Sequence, residues 1–197
     1  MALGNLQQPQ ADQGFLHGKL LMAMPSMPDT RFEKSVILMC SHTTEGAGGV
    51  IINKPIPALP FRDLMAKMDI PVTEATPRNP VLYGGPVDTD RGYVLHATER
   101  PGRPSTLAIT PEIGLTPTVD VLRAIADGRG PARWLMALGY AGWGPGQIEN
   151  EIAANGWIHC DADAGLVFDA SMDAKWRLAF GKLGAGLSGL SSEAGRA

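Results

Sequence analysis

Cys40-Ser41-His42 sets a thiol and an imidazole two residues apart, a spacing that puts both on one face of an extended strand. A nucleophilic thiol needs that proximity, together with a nearby cation or helix N-terminus to lower its pKa. His159-Cys160-Asp161 offers similar residue types, but an extended chain sends its His and Cys to opposite faces. Neither spacing is a zinc-ligand pattern, so no metal and no cofactor is assigned. The plainer reading is a small buried cysteine at a strand end and a surface histidine. Thiol/His chemistry around Cys40 and His42 is the enzymatic alternative carried forward.

Gly46-Ala-Gly-Gly49 fits neither phosphate-binding template. It lacks a closing Gly-Lys-Ser/Thr, Ile51 stands where a dinucleotide loop needs its third glycine, and a strand rather than a helix is expected to follow. Gly186-Leu-Ser188-Gly-Leu approaches a nucleophile-elbow pattern without its final glycine. The arginines at 123, 129 and 133 and at 100 and 103 form no continuous basic face. The helix expected after Pro145 carries Gln147, Glu149, Asn150 and Glu151, the wrong chemistry for approaching phosphates. No helix-turn-helix pair is visible, so no specific nucleic-acid binding is expected.

Three glycine- and proline-rich turns are left as candidate ligand or partner surface: Asn53-Lys54-Pro55, Gly84-Gly85-Pro86, and Trp143-Gly-Pro-Gly146 with Gln147. Small residues allow close backbone approach, Trp143 would be an aromatic anchor, and Lys54 and Gln147 would be polar handles. Trp143, between two glycines, has no periodicity to bury it. Trp157, leading an apolar pair with Ile158, reads as the core residue of the two. The competing view is that tight turns need these dihedrals anyway.

Short elements must position these groups. Strands are expected over Gly18–Met24 and Ser35–Cys40, the latter joined through Gly46–Gly49 to Val50-Ile-Ile52 as a hairpin. Phe61, Leu64, Met65 and Met68 fall on one helical face between Pro60 and Pro71. Strands follow at Val81–Tyr83, Tyr93–Ala97 and Thr106–Ile109. A helix then starts at Thr116-Pro117 with Val119, Leu122, Ile125 and Ala126 as its stripe. Trp134–Tyr140 reads as a strand, the segment from Pro145 to Gly156 as a short helix, Leu166–Phe168 as a late strand, and Met172 to Leu183 as the last helix. Helices occur irregularly among strands, which favours α+β with a mostly antiparallel, curled sheet. Residues 1–14 read as a flexible arm, 15–183 as one domain and 184–197 as a flexible tail.

With 197 residues, 44% hydrophobic and net charge −3, the chain can build one substantial core and has no bulk attraction to nucleic acid or anionic lipid. Two cysteines make no disulfide framework. The first residues lack a basic, apolar leader and no apolar run is long enough to span a bilayer, so a soluble, cytoplasmic protein is expected, with no membrane partner.

Four segments carry a family resemblance: Gly18-Lys-Leu-Leu-Met-Ala-Met-Pro with Phe32-Glu-Lys-Ser-Val-Ile; Gly48-Gly-Val-Ile-Ile-Asn-Lys-Pro55; Leu82-Tyr-Gly-Gly-Pro-Val-Asp88; and Gly139 to Trp157. Over roughly residues 14 to 183 the chain resembles the AlgH/YqgE family of small bacterial proteins. The resemblance implies an α+β fold whose split sheet curls into a pseudo-barrel flanked by helices. It supplies no catalytic residues to carry over, and it brings a transcriptional-regulator label that the acidic balance makes indirect. The expectation is a non-catalytic binding or regulatory module acting through a protein partner or small ligand.

Overall fold

The structure is a computed structural model describing residues 16–98 and 105–183. The expected arm (1–14), tail (184–197), Ser188 motif and Arg100/Arg103 loop lie outside the described residues. Largely apolar runs form β1 (Lys19–Ala23), β2 (Val36–Thr43) and β3 (Gly46–Ile51), paired antiparallel in sequence order with Leu20 opposite Leu38 and Leu38 opposite Val50. β10 (Trp157–Asp161) adds outside β1. β9 (Trp134–Trp143) pairs with β3 and β6 (Val87–Ala97), and β8 (Ile113–Thr116) and β7 (Leu107–Thr110) follow. β4 (Pro55–Pro60) and β5 (Pro80–Tyr83) branch from β9, and β5–β9 is the parallel pairing in an otherwise antiparallel ten-stranded sheet. The sheet is a curled half-barrel: a Cβ on Gly18, at the start of β1, would lie 3.1 Å from Ile109 O in β7.

The split in the sheet is built at one glycine. Residues 136–138 of β9 run beside β5, whereas 141–143 run beside β3. Between them Gly139 has φ +74°, and the parity of the strand changes. Leu135, Ala137 and Tyr140 face the barrel interior, Met136 and Leu138 face α1 (Phe61–Lys67) and α2 (Val119–Ala126), and Ala141 and Trp143 face α3 (Gln147–Ala153). Gly84 spans the break, donating to Leu138 O at 2.7 Å and accepting from Ile51 N–H at 2.9 Å. A Cβ on Gly85 would sit 2.1 Å from Tyr140 C, so only glycine fits. α4 (Met172–Gly181) packs Ala179 and Phe180 into the interior cluster.

Several local expectations are corrected. Gly46–Gly49 is strand, and the turn is Thr44–Glu45; pairing on both edges, with β2 and β9, outweighs the weak strand preference of glycine. Residues 166–168 lie in a π-helix (Gly165–Asp169) rather than a strand; so short an apolar run has no decisive period. β4 carries three prolines and no expected strand pattern, yet it forms because it pairs on one edge only. β8 and β10 are strands beyond those expected from the sequence.

Candidate functional site

The thiol of Cys40 and the imidazole of His42 do not meet. A β-bulge between Met39 and Ser41 breaks the alternation of β2. Cys40 stays with Val36 and Leu38 in the interior cluster, 1% exposed, its Sγ donating to Leu38 O at 3.4 Å. Burial pushes its pKa up to about 12, the opposite of an activated nucleophile. His42 lies beside Ala47 on the face covered by α3. It is buried, not on the surface: its Nδ1 accepts the Leu16 N–H at 2.9 Å, which leaves the ring proton on Nε2, and Nε2 lies 2.8 Å from Glu149 Oε1. Cys160 is half-buried, and burial chiefly raises its pKa.

The candidate turn residues separate into two groups. Asn53-Lys54-Pro55 and Gly84-Gly85-Pro86 are neighbours: Tyr83 N–H donates to Lys54 O at 2.8 Å, and Pro55 pairs with Leu82. Asn53 is an internal clamp, its Oδ1 accepting from Val36 N–H at 2.8 Å and its Nδ2 donating to Lys34 O at 2.9 Å. Lys54 Nζ donates to Arg31 O at 2.8 Å, and burial lowers its pKa. Trp143 lies opposite Ala47 at the other end of β3, so the turns do not converge.

Trp143 is not an exposed anchor. It is 7% exposed, packed edge to face against Trp157 with ring centroids 5.9 Å apart. After the change of parity at Gly139, alternation places 141 and 143 on one buried face, a relation the flanking glycines hide in the sequence. Its Nε1–H donates to Glu151 Oε2 at 3.1 Å, and the Trp157 Nε1–H donates to the same oxygen at 2.7 Å. Gln147 completes the arrangement: Nε2 donates to Glu151 Oε1 at 2.9 Å, and Oε1 accepts from Gly144 N–H at 3.0 Å. These groups fasten α3 to the sheet.

The opening that the sequence did not reveal is a groove of about 290 Å³ between α1 and α2, floored by β6 and β9. Its wall and floor include Leu64, Val94, Leu122, Met136 and Leu138, and Asp90 lies at its edge. Met68 on the α1 side and Val119 on α2 also line it, each 41% exposed. Helical spacing puts Val119 in the buried stripe of α2 and Met68 on the apolar face of α1, but both are exposed.

A curled antiparallel half-barrel, split at a glycine and carrying α1, α2 and α3 on its outer faces with α4 against its interior, defines a class of small α+β bacterial proteins. This chain belongs to the AlgH-like family, whose profile matches residues 20–188. It is 46% identical over 204 residues to a UPF0301 protein of Azorhizobium caulinodans, covering the whole of both chains. It is 51% identical to one from Jannaschia sp., covering 92% of this chain and 95% of that one. The solution structure of the AlgH protein from Pseudomonas aeruginosa is similar with a TM-score of 0.75 and 37% identity, covering 96% of this chain and 100% of that one. A crystal structure from Corynebacterium diphtheriae, 19% identical with a TM-score of 0.66 over 85% of this chain and 86% of that one, shares the fold.

Proposed function

We propose that this chain is a non-catalytic binding module and that the α1/α2 groove is the surface that takes its ligand. The observation that supports this is the pairing of an apolar floor with two exposed apolar side chains, Met68 and Val119, on the walls of one concave opening. The thiol/His alternative is weakened by the bulge that separates Cys40 from His42. A regulatory role, if the AlgH likeness extends to function, would pass through the bound partner rather than through duplex contact. The location in the cytoplasm remains part of this proposal; among the described residues no helix is long and apolar enough to cross a membrane.

The test is ¹⁵N chemical-shift mapping of the full chain against a library of small apolar fragments. Shifts clustering on Leu64, Gly92, Val119 and Leu138 support the groove. Shifts confined to 53–55 and 84–86 would return the site to the turns, and sequence-dependent duplex binding in an anisotropy titration near physiological salt would overturn the indirect reading.

A further inference from the structure

Asp90 is the one ionisable side chain among the described residues that line the α1/α2 groove, and it has no salt bridge among the described residues. It lies on the exposed bulge of β6, where four residues, 88–91, separate Val87 from Gly92 while only Gly139 separates their partners Tyr140 and Leu138. The bulge brings a carboxylate to the rim of an apolar floor. Thr116 Oγ1 is engaged with His96 Nε2 at 3.0 Å and Thr106 Oγ1 at 2.8 Å. The N-terminus of α2 borders the groove with a partial positive charge of roughly half a unit, but Asp120 in its first turn answers it.

We infer that the groove receives a short amphipathic segment of a partner protein, with apolar side chains seated on Leu122, Met136 and Leu138 and a lysine or arginine beside them facing Asp90. This rests on the groove being the binding surface. The charge complementarity selects the cation. The two walls select a segment: Met68 and Val119 stand out on opposite sides, where a helix or extended strip would cover them together. Methionine's unbranched chain lets the α1 wall adapt to the side chain that enters.

Two probes of one frame, carrying fluorescein on the N-terminal amine in place of any other cap, fluoresceinyl-AALLKALLKA-amide and fluoresceinyl-AALLEALLEA-amide, test this by anisotropy and ¹⁵N shift mapping on the full chain. The lysine probe should bind about fivefold more tightly, the sum of an exposed attraction gained and a repulsion removed, with shifts on groove amides. In Asp90→Asn the gap should shrink below about twofold, and in the double variant Met68→Gln/Val119→Gln both probes should lose binding while thermal melts stay near wild type. Equal affinities, or an unchanged gap in Asp90→Asn, would overturn the cation assignment while leaving the groove as a binding surface. Failure of both probes to shift groove amides that do respond to apolar fragments would overturn the segment, and silence to fragments as well would remove the groove itself.

Discussion

Trp143 and Trp157 pack edge to face, 5.9 Å between centroids, and aim both indole N–H groups at one oxygen of Glu151. The glycine-rich segment is thereby tied into the core, and its two tryptophans act as one unit with a helix carboxylate.

Trp143→Ala and Trp157→Ala should each destabilise the fold by ~3–5 kcal/mol, within about 1 kcal/mol of one another. A sequence-based ranking would make Trp143 the milder loss. Glu151→Leu should cost ~2–4 kcal/mol by leaving two indole donors without their acceptor. Denaturant melts in one background check all three, and a Trp143→Ala cost below about 1 kcal/mol would contradict its burial.

Lys175 is fully buried in α4, its Nζ donating to Val167 O at 2.6 Å and Ile52 O at 3.2 Å, and burial lowers its pKa to about 8. An unfolded lysine keeps its proton to about 10.4. Between those values the unfolded state holds more protons, so stability should rise with pH from about 8, by at most ~1.4 kcal/mol per unit. Cys40 and Tyr93, both raised to about 12 by burial, act in the opposite sense above their unfolded values. The profile should therefore climb between pH 8 and 9 and then flatten or fall. Urea melts across this range should lose the rising limb in Lys175→Met and keep the fall.

Gly85→Ala should be among the most damaging small substitutions, costing more than ~3 kcal/mol, because the added Cβ meets the Tyr140 and Ala141 backbone at 2.1–2.3 Å. Gly146→Ala, at φ +69° with nothing within 4 Å of the added Cβ, should cost only ~1–2 kcal/mol from backbone strain. Similar melts for the two variants would mean that the Gly84-Gly85 turn is not a packing requirement of the sheet break.

Thiol titration should separate the cysteines. Cys160, half-buried, should react with an aromatic disulfide reagent in the native protein, whereas Cys40 should react only on unfolding. Cys40→Ala should fold at a cost of ~1–2 kcal/mol. Fast native labelling of Cys40, monitored by mass spectrometry, would revive thiol chemistry.

The sequence by itself determined those elements whose period is carried within a few residues. The runs Leu20–Ala23 and Val36–Cys40 are continuous and apolar, and Phe61, Leu64 and Met65 keep helical spacing, so β1, β2 and α1 were legible, as were the first part of β9, which runs on to Trp143, and the body of α2, which is capped by Thr118 while Thr116 ends β8. The family motifs were legible for a related reason: Leu82-Tyr-Gly-Gly-Pro and Gly139-Tyr-Ala-Gly-Trp are the two sides of one sheet break, and little but glycine fits between them. Tertiary structure alone decided which way the side chains face beyond a bulge. One inserted residue at Cys40 and the change of parity at Gly139 reverse the alternation, sending His42 away from the thiol and turning Trp143 from the interior face of Leu135 and Ala137 to the face covered by α3, and nothing local records that reversal. The groove was beyond the sequence for the same physical reason. Leu64, Asp90, Val119 and Leu138 stand on four elements, and only long-range pairing of β6 with β9 and packing of α1 beside α2 bring them to one opening.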